Sequence, residues 1–340
     1  MAADSTMKAI VLTQYGSPDD LELKEIETPV PRDGEVLVKV HATSVNDWDW
    51  CLVRGTPFYI RLLYGWRKPN IQIPGAEVAG RVTAVGPNVT RFQPGDAVYG
   101  DISEGGFGGF AEYVCVPETA LALMPENMTF TEAAAIPHAA MLAVQGLIDV
   151  GELQPGQKLL INGAGGGVGT LGAQIAQAIG VTDVTGIDRA SKFTLMRSVG
   201  FTHTIDYTQT DFTAGQEQYD LILDTKTNRS PFKYLPVLKP GGTYVTVGGL
   251  TPRLLQVLFF GKIIRWLTQK TVRLVNLQPN KDLAYVNELF AAGQLKPTID
   301  GPYLLSDAPR LIPYFGESQH QGKVVITQES PQDSPVNPHL

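Results

Sequence analysis

The run Lys158-Leu-Leu-Ile-Asn-Gly-Ala-Gly-Gly-Gly-Val-Gly-Thr170 constrains this chain more than any other stretch. A short apolar segment enters five glycines and leaves them as a helix-forming segment. Glycines at such a turn have no Cβ, so a phosphate can approach the backbone amides, and the following helix points its positive dipole end there. Written Ala164-x-Gly166-x-x-Gly169, the turn predicts a dinucleotide cradle. Gly166 admits the pyrophosphate and Gly169 lets the helix pack on the strand, with amide donors spread over Ala164, Gly165, Gly166, Gly167, Val168 and Gly169. A strand before and a helix after separate this pattern from a lone glycine motif.

The surrounding texture agrees. From Thr131 onward strands and helices alternate: strands are expected at Lys158–Asn162, Asp183–Ile187, Tyr219–Leu223 and Thr243–Val247, and helices at Gly167–Ile179 and through Arg197. This predicts a doubly wound parallel sheet. Thr131–Val150 is Ala-rich and reads as one hinge helix into that domain. The first ~125 residues read as mostly β, because short β-branched runs (Lys8–Leu12, Glu35–Ala42, Glu77–Val85) are punctuated by Gly, Pro and Asp. A β signal returns at Gly322–Thr327. The expected division is therefore 1–130 completed by 298–328, then 131–297, with the Pro-containing 329–340 as a flexible tail.

Composition narrows the function. A chain of 340 residues suggests about two domains, and 43% hydrophobic with 18% charged residues can bury a core. The net charge of −7 opposes non-specific nucleic-acid binding. Two cysteines, Cys51 and Cys115, are too few for a disulfide framework. No apolar run reaches the ~18–20 residues of a membrane span, and Met1–Lys8 lacks the apolar core of a secretory signal. A cytoplasmic protein is expected.

Beyond the glycines, Asp188 ends the next strand about 20 residues on, where a carboxylate would hold ribose hydroxyls and favour NAD. Arg189 and Lys192 argue for the 2′-phosphate of NADPH instead. Asp224 and Gly248 follow further strands, at the ends where open α/β sheets bind ligands.

With these residues in hand, the chain resembles the medium-chain dehydrogenase/reductase superfamily, most of all its zinc-independent quinone oxidoreductase branch. Val45-Asn46-Asp47, Pro74-Gly75-Ala76-Glu77-Val78-Ala79-Gly80, Phe92–Val98, Gly109–Tyr113, Ala133–Pro137, the glycine turn, Ile205–Tyr207, Pro240–Gly242 and Gly322-Lys323 carry the resemblance, in order and along nearly the whole chain. It implies a GroES-like β domain plus a Rossmann domain, a nicotinamide cofactor and a homodimer joined at an edge strand near Val272–Leu277. It also places Tyr207 near the 2′-phosphate, which tips the expectation to NADPH with NADH possible, and sets Asn46, with Asp47, at the catalytic centre. Zinc-dependent members carry Cys and Gly-His-Glu ligands. Here those positions hold Asn46 or Asp47 and Ala76, the five histidines show no paired spacing, and no metal is expected. His138 reads as a packed, hydrogen-bonded histidine rather than a ligand.

Metal loss points to reduction of substrates that are already electrophilic, either quinones or α,β-unsaturated carbonyls. An aromatic-rich loop offers Trp50, Tyr59 and Tyr64 as rings for a flat substrate. The alternatives are a metal-free alcohol or carbonyl dehydrogenase, and a non-catalytic NADPH-binding regulatory protein. The basic, apolar stretch 254–267 reads as a lid or dimer contact first and as a peripheral membrane helix second.

Overall fold

A computed structural model describes residues 5–328; the expected tail at 329–340 lies outside them. The chain forms two compact units, one from residues up to His138 plus those from Ile299 onward, the other Ala139–Thr298.

In the first unit, β1 (Thr6–Val11) and β2 (Glu22–Glu27) make an antiparallel ribbon. A larger sheet contains β3 (Glu35–Ser44), β4 (Glu77–Val85), β5 (Ala97–Asp101), β6 (Tyr113–Pro117) and β7 (Ala122–Leu123). Alternation in β3 serves two cores at once: Val36, Val38 and Val40 join Val78, Val82, Val98 and Val116 on one side. Leu37 meets Met7, Ala9 and Tyr113 on the other. Helix α1 (Asp47–Arg54) starts where the Asn46 N–H donates to Asp49 Oδ2 at 2.9 Å, and it stops at Gly55 with φ +61°. Helix α2 (Tyr59–Tyr64) follows.

The expected hinge helix 131–150 is broken into three pieces. Helix α3 (Phe130–Ala134) is capped reciprocally by Thr129 and Glu132, α4 (Pro137–Val144) restarts at a proline, and Gln145–Asp149 is a π-helical turn. Pro137 has no N–H to give to the preceding turn but is at ease in the first turn of a new helix.

In the second unit, strands β8 (Lys158–Asn162), β9 (Asp183–Asp188), β10 (His203–Asp206), β11 (Tyr219–Asp224), β12 (Leu238–Thr246) and β13 (Thr271–Leu274) form one parallel sheet. Its order is β10-β9-β8-β11-β12-β13, so the chain reverses direction beside β8, and the glycine turn leaves from there into α5 (Gly167–Ile179). Helices α6 (Phe193–Ser198), α7 (Thr251–Thr268) and α8 (Leu283–Ala291) complete the unit. Of the stretch expected at Val272–Leu277, only the part to Leu274 is strand, as β13 at one end of the sheet.

Finally β14 (Ile299–Leu304), α9 (Ala308–Gly316) and β15 (Lys323–Thr327) return to the first sheet. Strand β15 runs antiparallel to the end of β3, with Val325 opposite Ser44, and Val45 N–H donates to Val324 O at 3.0 Å. That register delivers Lys323 to the start of α1.

Asp224 closes β11 from the inside. It is fully buried and accepts from Asn162 Nδ2 (2.8 Å), Tyr244 Oη (2.8 Å) and the amides of Lys226 and Thr227 (3.0 Å each). A carboxylate so filled fixes the loop after β11. Replacing it by Ala takes the acceptor from the buried Tyr244 hydroxyl and Thr227 amide, and Asp224→Ala is expected to cost about 2–4 kcal/mol, read as a lower urea midpoint.

Candidate active site

The glycine turn is crowded on its protein side. Gly163 has φ +86°, and a Cβ there would collide with Thr225 Oγ1. At Gly169 a Cβ would lie 2.5 Å from Ala164 O, so only glycine lets α5 pack this closely. Ala164 is buried beneath, Gly166 is the N-cap, and the first-turn amides of Gly167, Val168 and Gly169 have no partner within the helix.

Asp188 faces inward. Only 4% exposed, it accepts from Gly165 N–H through Oδ2 (2.9 Å) and from Arg189 N–H through Oδ1 (2.9 Å), with the buried Lys192 Nζ at 3.6 Å. Arg189 turns to the rim, its Nε donating to Tyr207 Oη at 2.9 Å, and Tyr207 is half-exposed. Lys226 was missed by sequence reasoning. Its stem lies over Gly163, and burial lowers its pKa against the opposing pull of Asp188. The signal available was its place directly after a strand end. Gly248 has open space where a side chain would be.

In the first unit, Asn46 and Asp47 belong to two different networks. Asn46 is buried, its Nδ2 donating to Glu77 Oε2 at 2.8 Å and its Oδ1 accepting from Lys323 Nζ. Lys323 Nζ also lies 2.6 Å from Glu77 Oε2, Ser44 Oγ donates to that same oxygen, and His138 N–H donates to Glu77 Oε1 at 2.6 Å. Asp49 braces the neighbouring turn, accepting from Gly75 N–H at 2.7 Å, and burial pushes its pKa up to about 7 against the hydrogen bonds from Gly75 and Asn46.

Asp47, by contrast, has a side chain 60% exposed, with Oδ1 at 3.0 Å from His138 Nε2. On the other side of the ring, His138 Nδ1 meets the buried Asp101 Oδ2 at 2.7 Å, and Ser103 holds Asp101 Oδ1 through N–H and Oγ. Burial alone would lower the His138 pKa, but the bonds and charges of Asp101 and Asp47 overcome it and lift the value to about 10. A doubly clasped imidazolium at neutral pH results. Sequence reasoning missed Ser44, Glu77, Asp101 and Lys323; Glu77 and Lys323 stood inside recognised motifs, but nothing in the order of residues showed that they pair.

The aromatic candidates separate. Tyr64 packs edge-on against Phe107 (5.6 Å) and Trp48 (6.3 Å), Tyr59 is partly exposed, and Phe58 meets Trp66 at the surface. Trp50 packs flat against Gly316 and under the Arg54 guanidinium (4.3 Å), as a shoulder of the core.

The donor set does not fit a tetrahedral metal site, which wants thiolate, imidazole or carboxylate ligands. Asn46 and Ala76 supply none, and an ammonium already occupies the carboxylate of Glu77. Among the described residues no three His, Cys, Asp or Glu side chains are grouped to hold a metal ion. A pyridine dinucleotide does fit the second unit, where the tight turn, free first-turn amides and the cations Arg189, Lys192 and Lys226 surround one strand end.

Comparison with known proteins identifies the family. Residues 32–126 match the alcohol dehydrogenase GroES-like domain, and 199–326 match the family described as zinc-binding dehydrogenase. The chain is 32% identical over 332 residues to 2-methylene-furan-3-one reductase of Solanum lycopersicum, covering 95% of this chain and 79% of the relative. It is 31% identical to the chloroplastic NADPH-dependent alkenal/one oxidoreductase of Arabidopsis thaliana, covering 94% and 79%. The solved structure of the quinone oxidoreductase from Coxiella burnetii superposes with a TM-score of 0.83 at 27% identity, covering 95% of this chain and all of that one.

The His138 clasp has a signed pH consequence. Its folded pKa, about 10, lies above the unfolded value of 6.5, so its contribution to stability is complete below 6.5 and disappears as pH climbs through 10. His138→Gln is expected to lower the melting temperature at pH 6.5, with the gap from wild type narrowing steadily to pH 10. A constant gap would mean that the clasp does not titrate.

Proposed function

The chain belongs to the medium-chain dehydrogenase/reductase superfamily, in the branch of the quinone oxidoreductases and alkenal reductases, and from that premise we propose that it is a metal-free, NADPH-dependent reductase of quinones or α,β-unsaturated carbonyls. The observation that carries the proposal is the ammonium of Lys323 locked between Asn46 and Glu77. Alcohol oxidation by zinc-dependent members relies on a Lewis acid that stabilises an alkoxide, and this donor set makes no provision for one. A quinone or enone is electrophilic already, and asks for alignment and a proton.

A nicotinamide held by the second unit would supply the hydride. The protein's part is assigned as follows. The first-turn amides of Gly167, Val168 and Gly169 receive the diphosphate, the turn Ala164–Gly166 giving it close approach and Gly248 leaving room beside it. Arg189, Lys192 and Tyr207 receive the 2′-phosphate, while Asp188 is spent on the Gly165 amide and Arg189. That division of labour supports NADPH over NADH. In the other unit Asn46 holds the buried cluster in register, Asp47 presents the exposed carboxylate, and Tyr59 and Tyr64 border the substrate, with Trp50 as support. Reduction also needs a proton, and the His138 imidazolium, reached from solvent through Asp47, is this unit's store of one. A homodimer joined along β13 would cover the sheet's edge.

NADPH oxidation is the test, with 1,4-benzoquinone, 9,10-phenanthrenequinone and a 2-alkenal as acceptors. Turnover is expected with at least one of them and is unchanged by a chelator, while His138→Gln lowers kcat and leaves NADPH affinity intact. Tight NADPH binding with no turnover on any acceptor defeats the reductase reading.

The cofactor preference has its own test. Removing the carboxylate in Asp188→Ser lessens repulsion of the 2′-phosphate, and the NADPH-to-NADH affinity ratio is expected to rise about tenfold, roughly one charge interaction of 1.4 kcal/mol. An unmoved ratio would show that Asp188 does not select.

A further inference from the structure

Helix α7 is apolar on the wrong side. Val257 and Ile264, two turns apart, are its buried contacts, and Gly261 lies 3.3 Å (from its would-be Cβ) from Val272 O of β13. The opposite face is uncovered: Trp266 is 82% exposed, Phe259 72%, Leu267 67%, Leu258 62% and Ile263 50%. A helix that is apolar all round belongs in a core or an interface, and a contiguous face of this kind on a free surface marks a binding site. Next to it the exposed Phe232 packs on Phe260 at 5.6 Å.

We propose that this face docks on an anionic lipid bilayer. Three features choose that occupant. First, α7 carries Arg253, Lys262 and Arg265 and no carboxylate, a local reversal in a chain of net charge −7. Glu152, the acid within reach of Arg265, is already bound to Arg273 at 2.7 Å. Second, the surface is one convex helix carrying large apolar side chains and a tryptophan, and such a helix lies in the headgroup plane; no helix among the described residues is long and apolar enough to cross a membrane. Third, a symmetric contact of α7 with a second copy of itself would gather the cations of both helices with no acid between them, which argues against a dimer centred here. The cations on this exposed face thus put the bilayer ahead of the lid or dimer contact expected from the sequence.

Co-sedimentation of the full chain tests this, with vesicles of phosphatidylcholine alone and of equal parts phosphatidylcholine and phosphatidylglycerol. Binding is expected to the anionic vesicles only, weakening as salt rises, with Trp266 emission shifting to the blue. Lys262→Gln and Arg265→Gln should each reduce partitioning about fivefold, the effect of one basic residue at an anionic surface. A Phe259→Ser/Trp266→Ser double variant should lose binding while NADPH affinity, measured as a check on folding, is retained. No binding to anionic vesicles, or equal binding to neutral ones, overturns the proposal. So does a double variant that still binds vesicles but changes oligomeric state by sedimentation velocity, since a second copy would then be the occupant.

Discussion

The buried Glu77–Lys323 pair is the constraint on which the first unit turns. An acid on β4 and a base on β15 meet at 2.6 Å with almost no solvent. Taking either charge out of water is costly, and the attraction compensates only when the remaining hydrogen-bonding capacity is also filled. Here the carboxylate's is: Ser44 and Asn46 take up Oε2 and the His138 amide takes up Oε1, while Asn46 Oδ1 gives the ammonium a second acceptor. The same bonds reach Asn46 at the start of α1 and the His138 backbone, so both are tied to one ion pair. Such a pair specifies position more than it adds stability, because a matched apolar replacement would be about as stable.

Around that anchor the polar groups are graded by exposure. Asp101 is buried, His138 is almost buried and Asp47 is open to solvent, in a line of two hydrogen bonds. A charge held in such a line keeps its place in the absence of a ligand, which is what preorganisation requires. The second unit follows the same logic with the opposite sign. Asp188 is enclosed by amides and Lys192 while Arg189 is held outward by Tyr207, so the guanidinium faces the rim and the carboxylate, with its ammonium, faces the turn.

What was legible in the sequence follows from the range of the interactions. The glycine turn is local, its strand, glycines and helix are consecutive, and α5 falls at Gly167–Ile179 as its period indicates. Asn46 and Asp47 are adjacent, yet one is buried beside Lys323 and the other exposed beside His138; neighbours on the chain gave no hint of that split. Lys323 is 277 residues from Asn46 and reaches it only through the pairing of β15 with β3. Asp224 stood at a strand end, as a ligand-binding carboxylate would, but the tyrosine that fills it comes from β12. The break at Pro137 was readable, since a proline seven residues into an Ala-rich run cannot continue it; strong helix propensity on both sides hid the interruption.

Helix α7 shows the same limit from the other direction. Its pattern in sequence is nearly uniform, with no clean polar stripe to say which side is covered, so the residues put a lid or dimer contact ahead of a membrane surface without fixing the choice. Packing resolves this by subtraction. Once β13 has taken Val257 and Ile264, what is left outside is Leu258, Phe259, Ile263 and Trp266 interleaved with Lys262 and Arg265. Apolar burial alone would serve any partner. The cations are what discriminate, because they cost desolvation against a neutral or like-charged surface and gain against an anionic one.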